Sequence, residues 1–279
     1  MHQNPSASDW AGARGDKWSA QAPAMEATLE PVDEPLIAAL RLDAPLRIAE
    51  IGCGGGRTAT AILRRAPEGS VVHGYDISPR LVELARGRAH RDDGALEFHV
   101  ADMASAAPPA PYDRLVSRFG IMFFDDPQAA FGNLARWLAP GGRFAFAAWA
   151  RPDDNPWMTA TRDAVAQVVN VPQPDPEAPG AFRYADVGKL LALLDEAGFH
   201  ALETHDWRGT LPLGGGRGPA DAASFAIASF SSFAELLDKA GPDALQQARG
   251  ALTTRLSRHL RDGLVHMPAR VHIVTGARR

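Results

Sequence analysis

The chain has 279 residues, 46% hydrophobic and 22% charged, a profile that suits a single folded domain and excludes a disordered, collagenous or coiled-coil chain. Its 29 basic and 33 acidic side chains leave a net charge of −4, so no surplus cation exists for a nucleic-acid backbone or an anionic membrane. The single cysteine, Cys53, excludes an internal disulfide framework and any multi-cysteine metal site.

The opening MHQNPSASDW lacks a basic stretch followed by an apolar run, and no segment reaches the roughly 18–20 apolar residues of a membrane span. The expectation is a cytoplasmic protein, monomeric or homodimeric, without nucleic-acid or membrane partners. The first 40 residues, carrying Trp10 and Trp18, read as one or two short helices outside the sheet. From 45 to 150, short strand-like runs alternate with amphipathic helical stretches, the pattern of a parallel sheet covered by helices. The strands are expected at 46–52, 71–77, 96–102, 112–119 and 142–150. Helices are expected at 57–66, after Ser78-Pro79, and after Pro127, with proline at a first helical position and Gly141-Gly142 beyond a last one. Beyond Trp149 come a proline-rich loop (171–180), a helix (187–197), a strand (200–207), a helical insertion (about 220–262) and a last strand (269–277), giving seven strands in all. Right-handed crossovers place the C-terminal ends of the first five strands on one edge, where open α/β sheets bind ligands.

Glu50-Ile51-Gly52-Cys53-Gly54-Gly55-Gly56-Arg57 follows the first strand and opens the first core helix. Such glycines let a ligand lie against bare backbone beside free helical N–H groups. A dinucleotide fingerprint would need glycine where Arg57 stands, and Glu50, two residues before the first glycine, would repel a pyrophosphate but suits an ammonium group. Asp76 ends the second strand, where a carboxylate can accept both ribose hydroxyls or cap the helix that follows. Asp102-Met103 ends the third strand. There the acid can receive an exocyclic amine and the thioether can pack on a purine, or the acid can simply cap a turn.

This constellation, together with SRFGIMFFDDP (117–127) and LAPGGRFAF (138–146), resembles the class I S-adenosylmethionine-dependent methyltransferases over about residues 45–150, and AWARPDDNPW is similar to a bacterial small-molecule branch near the ubiquinone-type enzymes. The resemblance implies a Rossmann-like α/β fold whose seventh strand is antiparallel, with helices on both faces. It implies S-adenosylmethionine as cofactor and no metal. Cofactor contacts would come from Glu50, Gly52, Cys53, Gly54 and Gly56, from Asp76 at the ribose, from Ile77, Asp102 and Met103 at the adenine, and from Ser117. The sequence departs from the cysteine-rich arsenite branch and lacks the asparagine-proline-proline-tyrosine motif of nucleic-acid amine methylation.

The whole chain is expected to form one domain, with residues 1–44 as N-terminal helices or lid, 45–150 as cofactor core and 151–279 as the acceptor side. Topology puts Arg118, Phe119, Met122, Trp149 and Trp157 near a small-molecule acceptor, with core packing or a salt link as their other reading. Trp18 and Trp10 either close over cofactor and acceptor as a lid or anchor the N-terminus. Phe225, Phe230 and Phe233 of the insertion cover substrate, form a dimer surface or pack as core. Histidines show no metal spacing; His205, beside Asp206, and His266 are the candidate bases. The function expected is methyl transfer to an O, N or C atom of a small metabolite. A cofactor-binding protein of other chemistry and a nicotinamide-dependent oxidoreductase are the alternatives.

Overall fold

Strand-forming runs become β1 (Arg47–Ile51), β2 (Val71–Asp76), β3 (Leu96–Val100), β4 (Tyr112–Arg118), β5 (Leu138–Trp149), β6 (Phe199–Pro212), β7 (Leu260–Arg261) and β8 (Leu264–Arg278) in a computed structural model that describes residues 7–89, 94–173, 175–215 and 218–279. The sheet runs β3-β2-β1-β4-β5-β8-β6, with β7 paired to β8 as a short side arm. Strands β1 to β5 are parallel, and β8 lies antiparallel to both β5 and β6. The seven expected strands form this path, and β7 is an addition. β5 starts at Leu138, earlier than the sequence suggests, because Leu138 pairs with Tyr112 across an irregularity in register.

The helices are α1 (Ala7–Ala11), α2 (Ala13–Leu29), α3 (Asp33–Ala39), α4 (Arg57–Arg65), α5 (Pro79–Arg88), α6 (Pro127–Trp137), α7 (Pro156–Ala166), α8 (Val187–Glu196), α9 (Pro219–Ser229), α10 (Ser231–Ala240) and α11 (Pro242–Leu256). Start signals act as expected: Ser78 and Asp126 cap α5 and α6 by accepting from Leu81 and Ala129, each with proline in the first turn. The N-terminus differs from the one or two short helices expected. Among the described residues it carries three α-helices, and α2 runs for 17 residues. Its alanine content favours helix, and docking completes it: Ala22, Met25 and Leu29 are buried, and the Thr28 hydroxyl donates to the Pro212 carbonyl while receiving the Gly214 N–H.

The core is continuous through the sheet. Ile48, Val72, Leu115, Val116, Phe144 and Phe146 are almost wholly buried between the helical layers. Strand order reverses between β1 and β4, so their following loops diverge and open a crevice. Gly52 and Gly120 sit back to back at that point. A Cβ on Gly52 would lie 3.0 Å from the Gly120 Cα, and one on Gly120 would lie 2.8 Å from the Ile51 carbonyl oxygen. Among the described residues no helix is long and apolar enough to cross a membrane.

Candidate functional site

One cavity of about 1190 Å³ lies over the C-terminal ends of β1 to β5, bounded by α2, α7 and α10 and by the segments after β4 and α7. That volume exceeds the upper end of an ordinary ligand pocket, about 1,000 Å³, and suits two ligands side by side.

At one end the glycine loop is stitched to the end of β2. The N–H groups of Gly52 and Cys53 both donate to the Tyr75 carbonyl, and Gly54 N–H donates to Asp76 Oδ2 at 2.9 Å. Asp76 Oδ1 receives Ser78 N–H at 2.9 Å. The carboxylate therefore holds the loop and the start of α5 in register, and it still lines the cavity. Burial raises its pKa against these hydrogen bonds from Ser78 and Gly54. Gly56 has φ +81, and a Cβ there would lie 2.5 Å from the Phe98 ring, so both backbone and packing require glycine. Gly54, with nothing within 4 Å of a Cβ position, presents bare backbone to the cavity. Cys53 is buried, and burial pushes its thiol well above the ordinary value, which makes it a poor nucleophile.

Glu50 is 1% exposed at the floor, and its Oε2 has no hydrogen-bond partner. Burial drives its pKa well above the usual carboxylate range, with the Arg118 guanidinium pulling the other way. Arg118, at the end of β4, donates to Asp33 Oδ1 at 3.0 Å in a pair whose side chains are 9% and 8% exposed, and Thr58 donates to the same oxygen. Arg118 lines the cavity from within this network. It is neither a surface salt link nor an unpaired fork held out to a substrate. Arg57, where a dinucleotide fingerprint would need glycine, pairs with Glu30 at 2.6 Å.

Ile77, Asp102 and Met103 line the cavity beyond Asp76. Asp102 also accepts the Ala104 N–H at 2.9 Å, so the turn-capping role is present alongside. Ser117 is turned away: it is fully buried, its hydroxyl donates to the Ile51 carbonyl at 2.8 Å, and it does not line the cavity.

The other end is aromatic. Phe119 stacks on Trp149 at 4.2 Å with 6° between planes, Trp149 meets Trp157 at 6.0 Å, and Trp157 meets Phe230 at 5.5 Å. Phe119 has φ 68, a left-handed conformation costing a bulky residue about 1–3 kcal/mol, offset here by the Phe119 N–H bond to the Ala147 carbonyl and by the stack. Met122 is buried below, and Phe233 continues the wall. Trp10 roofs the cavity edge-on to Trp18 and Phe123, at 5.8 and 4.9 Å. Lys17 of α2 joins Glu235 of α10 at 2.9 Å above it, and Glu26 of α2 receives Arg88, which also donates to the Gly55 carbonyl.

Both candidate bases lie elsewhere. His205 is exposed on β6 opposite Ile273, His266 is on β8 opposite Pro212, and neither lines the cavity. Phe225 is core rather than wall. A buried histidine, His272, has its Nδ1 2.6 Å from Asp206 in a network with Arg270 and Asp154, again outside the cavity. Sequence reasoning missed α7 and its cavity-lining Met158 and Arg162. Pro156 in the first turn and the buried spacing Trp157, Met158, Thr161, Ala164, Val165 were its signals. Among the described residues no cluster of His, Cys, Asp or Glu is arranged to hold a metal ion.

Comparison with known proteins agrees with this geometry. The methyltransferase-domain family matches residues 48–142. Malonyl-[acyl-carrier protein] O-methyltransferase of Hahella chejuensis is 36% identical over 113 residues, 40% of this chain and 39% of that protein. Demethylmenaquinone methyltransferase of Thermus thermophilus is 38% identical over 101 residues, 36% of this chain and 46% of that protein. The match thus spans less than half of either relative. A putative methyltransferase from an antibiotic biosynthesis pathway of Anabaena variabilis superposes with a TM-score of 0.61 at 17% identity, covering 90% of this chain and 99% of its own, a likeness of fold. Residues 48–142 are thus similar to the methyltransferase-domain family, and the sheet built on them has the fold of a methyltransferase structure.

Proposed function

We propose that the protein binds S-adenosylmethionine at the glycine end of the cavity and transfers its methyl group to an O, N or C atom of a small metabolite held at the aromatic end. The observation that carries this is the continuity of the cavity, which joins the glycine loop and strand-end acids to the aromatic wall.

The residues present suit the cofactor. The unpartnered Oε2 of Glu50 matches an ammonium group, Asp76 stands where ribose hydroxyls would be accepted, and Ile77 and Met103 supply apolar faces for a purine. When bound, S-adenosylmethionine supplies a methyl on a positively charged sulfur, open to in-line displacement by an acceptor lone pair, which leaves a neutral thioether. The protein's task is alignment and exclusion of water. Gly52 and Gly54 give the sulfur end room against backbone. Phe119 and Trp149, rigidly stacked at the ends of β4 and β5, set the plane from which the acceptor approaches. Trp10 and Trp18 act as the cover, tied down through α2. Neither candidate histidine takes part. An acceptor that must lose a proton releases it to solvent, before or after transfer.

Incubation with S-adenosylmethionine and a metabolite extract tests the reading. Formation of S-adenosylhomocysteine with one product heavier by a methyl group is expected. Stabilisation by S-adenosylhomocysteine with no product from any acceptor would instead favour a binding protein of the same fold.

A further inference from the structure

One handle on the acceptor's chemistry lies among the cations of the cavity wall. Four cations line it. Lys17 is paired with Glu235, Arg118 with Asp33, and Arg14 lies over the Trp10 ring at 5.5 Å. The fourth, Arg162 on α7, is half-buried and has no hydrogen bond or ion pair among the described residues. Its neighbour Asp163 is paired with Arg255, while Asp126 and Asp175 accept the Ala129 and Glu177 N–H groups and keep their charge. A half-buried guanidinium without a partner is a standing demand for an anion, and its planar fork fits a carboxylate.

A second orphan lies on the same helix. Trp157 is 3% exposed, lines the cavity, and its Nε1–H has no acceptor, a vacancy that costs about 1–3 kcal/mol unless a ligand fills it. The indole ring itself joins Trp149 and Phe230 in the aromatic wall. Helical geometry places Arg162 about 7.5 Å further along α7 than Trp157 and about 140° around its axis, and both residues line the cavity.

Building on the transferase reading, we propose that the acceptor is an organic acid with a flat, unsaturated or aromatic body. Its ring system lies along the Trp149, Trp157 and Phe230 wall, a carbonyl or hydroxyl oxygen accepts from Trp157, and its carboxylate is received by Arg162. The methylated atom sits at the opposite end, beside Phe119. Arg162 is thus a specificity residue that separates acids from their uncharged analogues.

Calorimetry on the protein saturated with S-adenosylhomocysteine, using 6-hydroxy-2-naphthoate and its uncharged partner 6-hydroxy-2-naphthamide as probes, tests this. The naphthoate binds at least about tenfold more tightly to the wild type. Arg162→Gln removes that preference by weakening the naphthoate alone, Arg162→Lys restores part of it, and Phe230→Ala weakens both probes alike. Affinity for S-adenosylhomocysteine stays at the wild-type value in all three variants, which also reports an intact fold. Equal binding of the two probes, a preference that survives in Arg162→Gln, or binding of neither at millimolar concentration overturns the proposal. Failure of the wild type to bind S-adenosylhomocysteine would strike the transferase reading instead, and the probe pair remains readable in its absence.

Discussion

The two ends of the cavity are built differently. The glycine end comes from consecutive strand ends within residues 50–103, and its parts bind one another over short range: Gly52 and Cys53 to Tyr75, Gly54 and Ser78 to Asp76. The aromatic end draws Trp10, Phe119, Trp149, Trp157 and Phe230 from five separate segments, held by ring contacts and helix docking. A local motif can carry the first kind of site within a family while the second is rebuilt for each acceptor. The relatives match this chain over 36% to 44% of its length, in keeping with one shared end and one divergent end.

Substitutions should separate the ends, and the largest effect is expected at Asp76. Asp76→Ala removes the proposed ribose acceptor and frees Gly54 N–H and Ser78 N–H together, so affinity for S-adenosylhomocysteine by calorimetry is expected to fall by about a hundredfold or more. Asp76→Asn, which keeps one acceptor oxygen, loses less.

Glu50 comes next and carries a pH signature. Burial raises its pKa well above the ordinary glutamate value of 4.5, so the native state holds a proton that the unfolded chain has released. The native form then binds more protons than the unfolded form, and this group's contribution to stability falls as pH rises from that value toward the raised one. Pairing with an ammonium needs the ionised form. Wild-type affinity for S-adenosylhomocysteine should therefore rise with pH, while Glu50→Gln shows a flat profile, a higher melting temperature at pH 8 and about tenfold weaker binding there. A parallel pH rise in Glu50→Gln would remove Glu50 from the ammonium site.

At the aromatic end, Phe230→Ala should raise the acceptor KM about tenfold with the cofactor KM unchanged, since it removes wall area and touches nothing at the glycine loop. An equal change in both constants would mean the two ends are coupled. The smallest effect belongs to the histidines. His205→Ala and His266→Ala should leave kcat within about twofold, because both lie outside the cavity.

How much of this was legible in the sequence follows the same division. The glycine loop, Asp76 and Asp102 stand at strand ends, and strand ends can be read from short apolar runs; Glu50 stood out as a charge in a buried one. The parallel strands followed from the alternation of strands and helices, and the antiparallel last strand from the family resemblance. Ser117 misled because a hydroxyl at a strand end can turn either way, and here the Ile51 carbonyl takes it. Arg118 lines the cavity as topology suggests, but its buried pairing was out of reach: its partner Asp33 lies 85 residues away, beyond any local pattern. The histidines at β6 and β8 were placed by element, but which face of a strand meets the cavity depends on register and on the helices above it. Arg162 had the weakest signal, one basic residue in a helix whose partnerless state appears only once its neighbour Asp163 is seen to pair with Arg255.

The central claim is that the strand-end acids and glycine loop form an S-adenosylmethionine site joined to an acceptor site. Calorimetric titration with S-adenosylhomocysteine and with NAD, on wild type and Asp76→Ala, tests it most directly. The account predicts one-to-one binding of S-adenosylhomocysteine by the wild type, its loss in Asp76→Ala, and no heat from NAD. Binding of NAD in place of S-adenosylhomocysteine, or an unchanged affinity in Asp76→Ala, would contradict it.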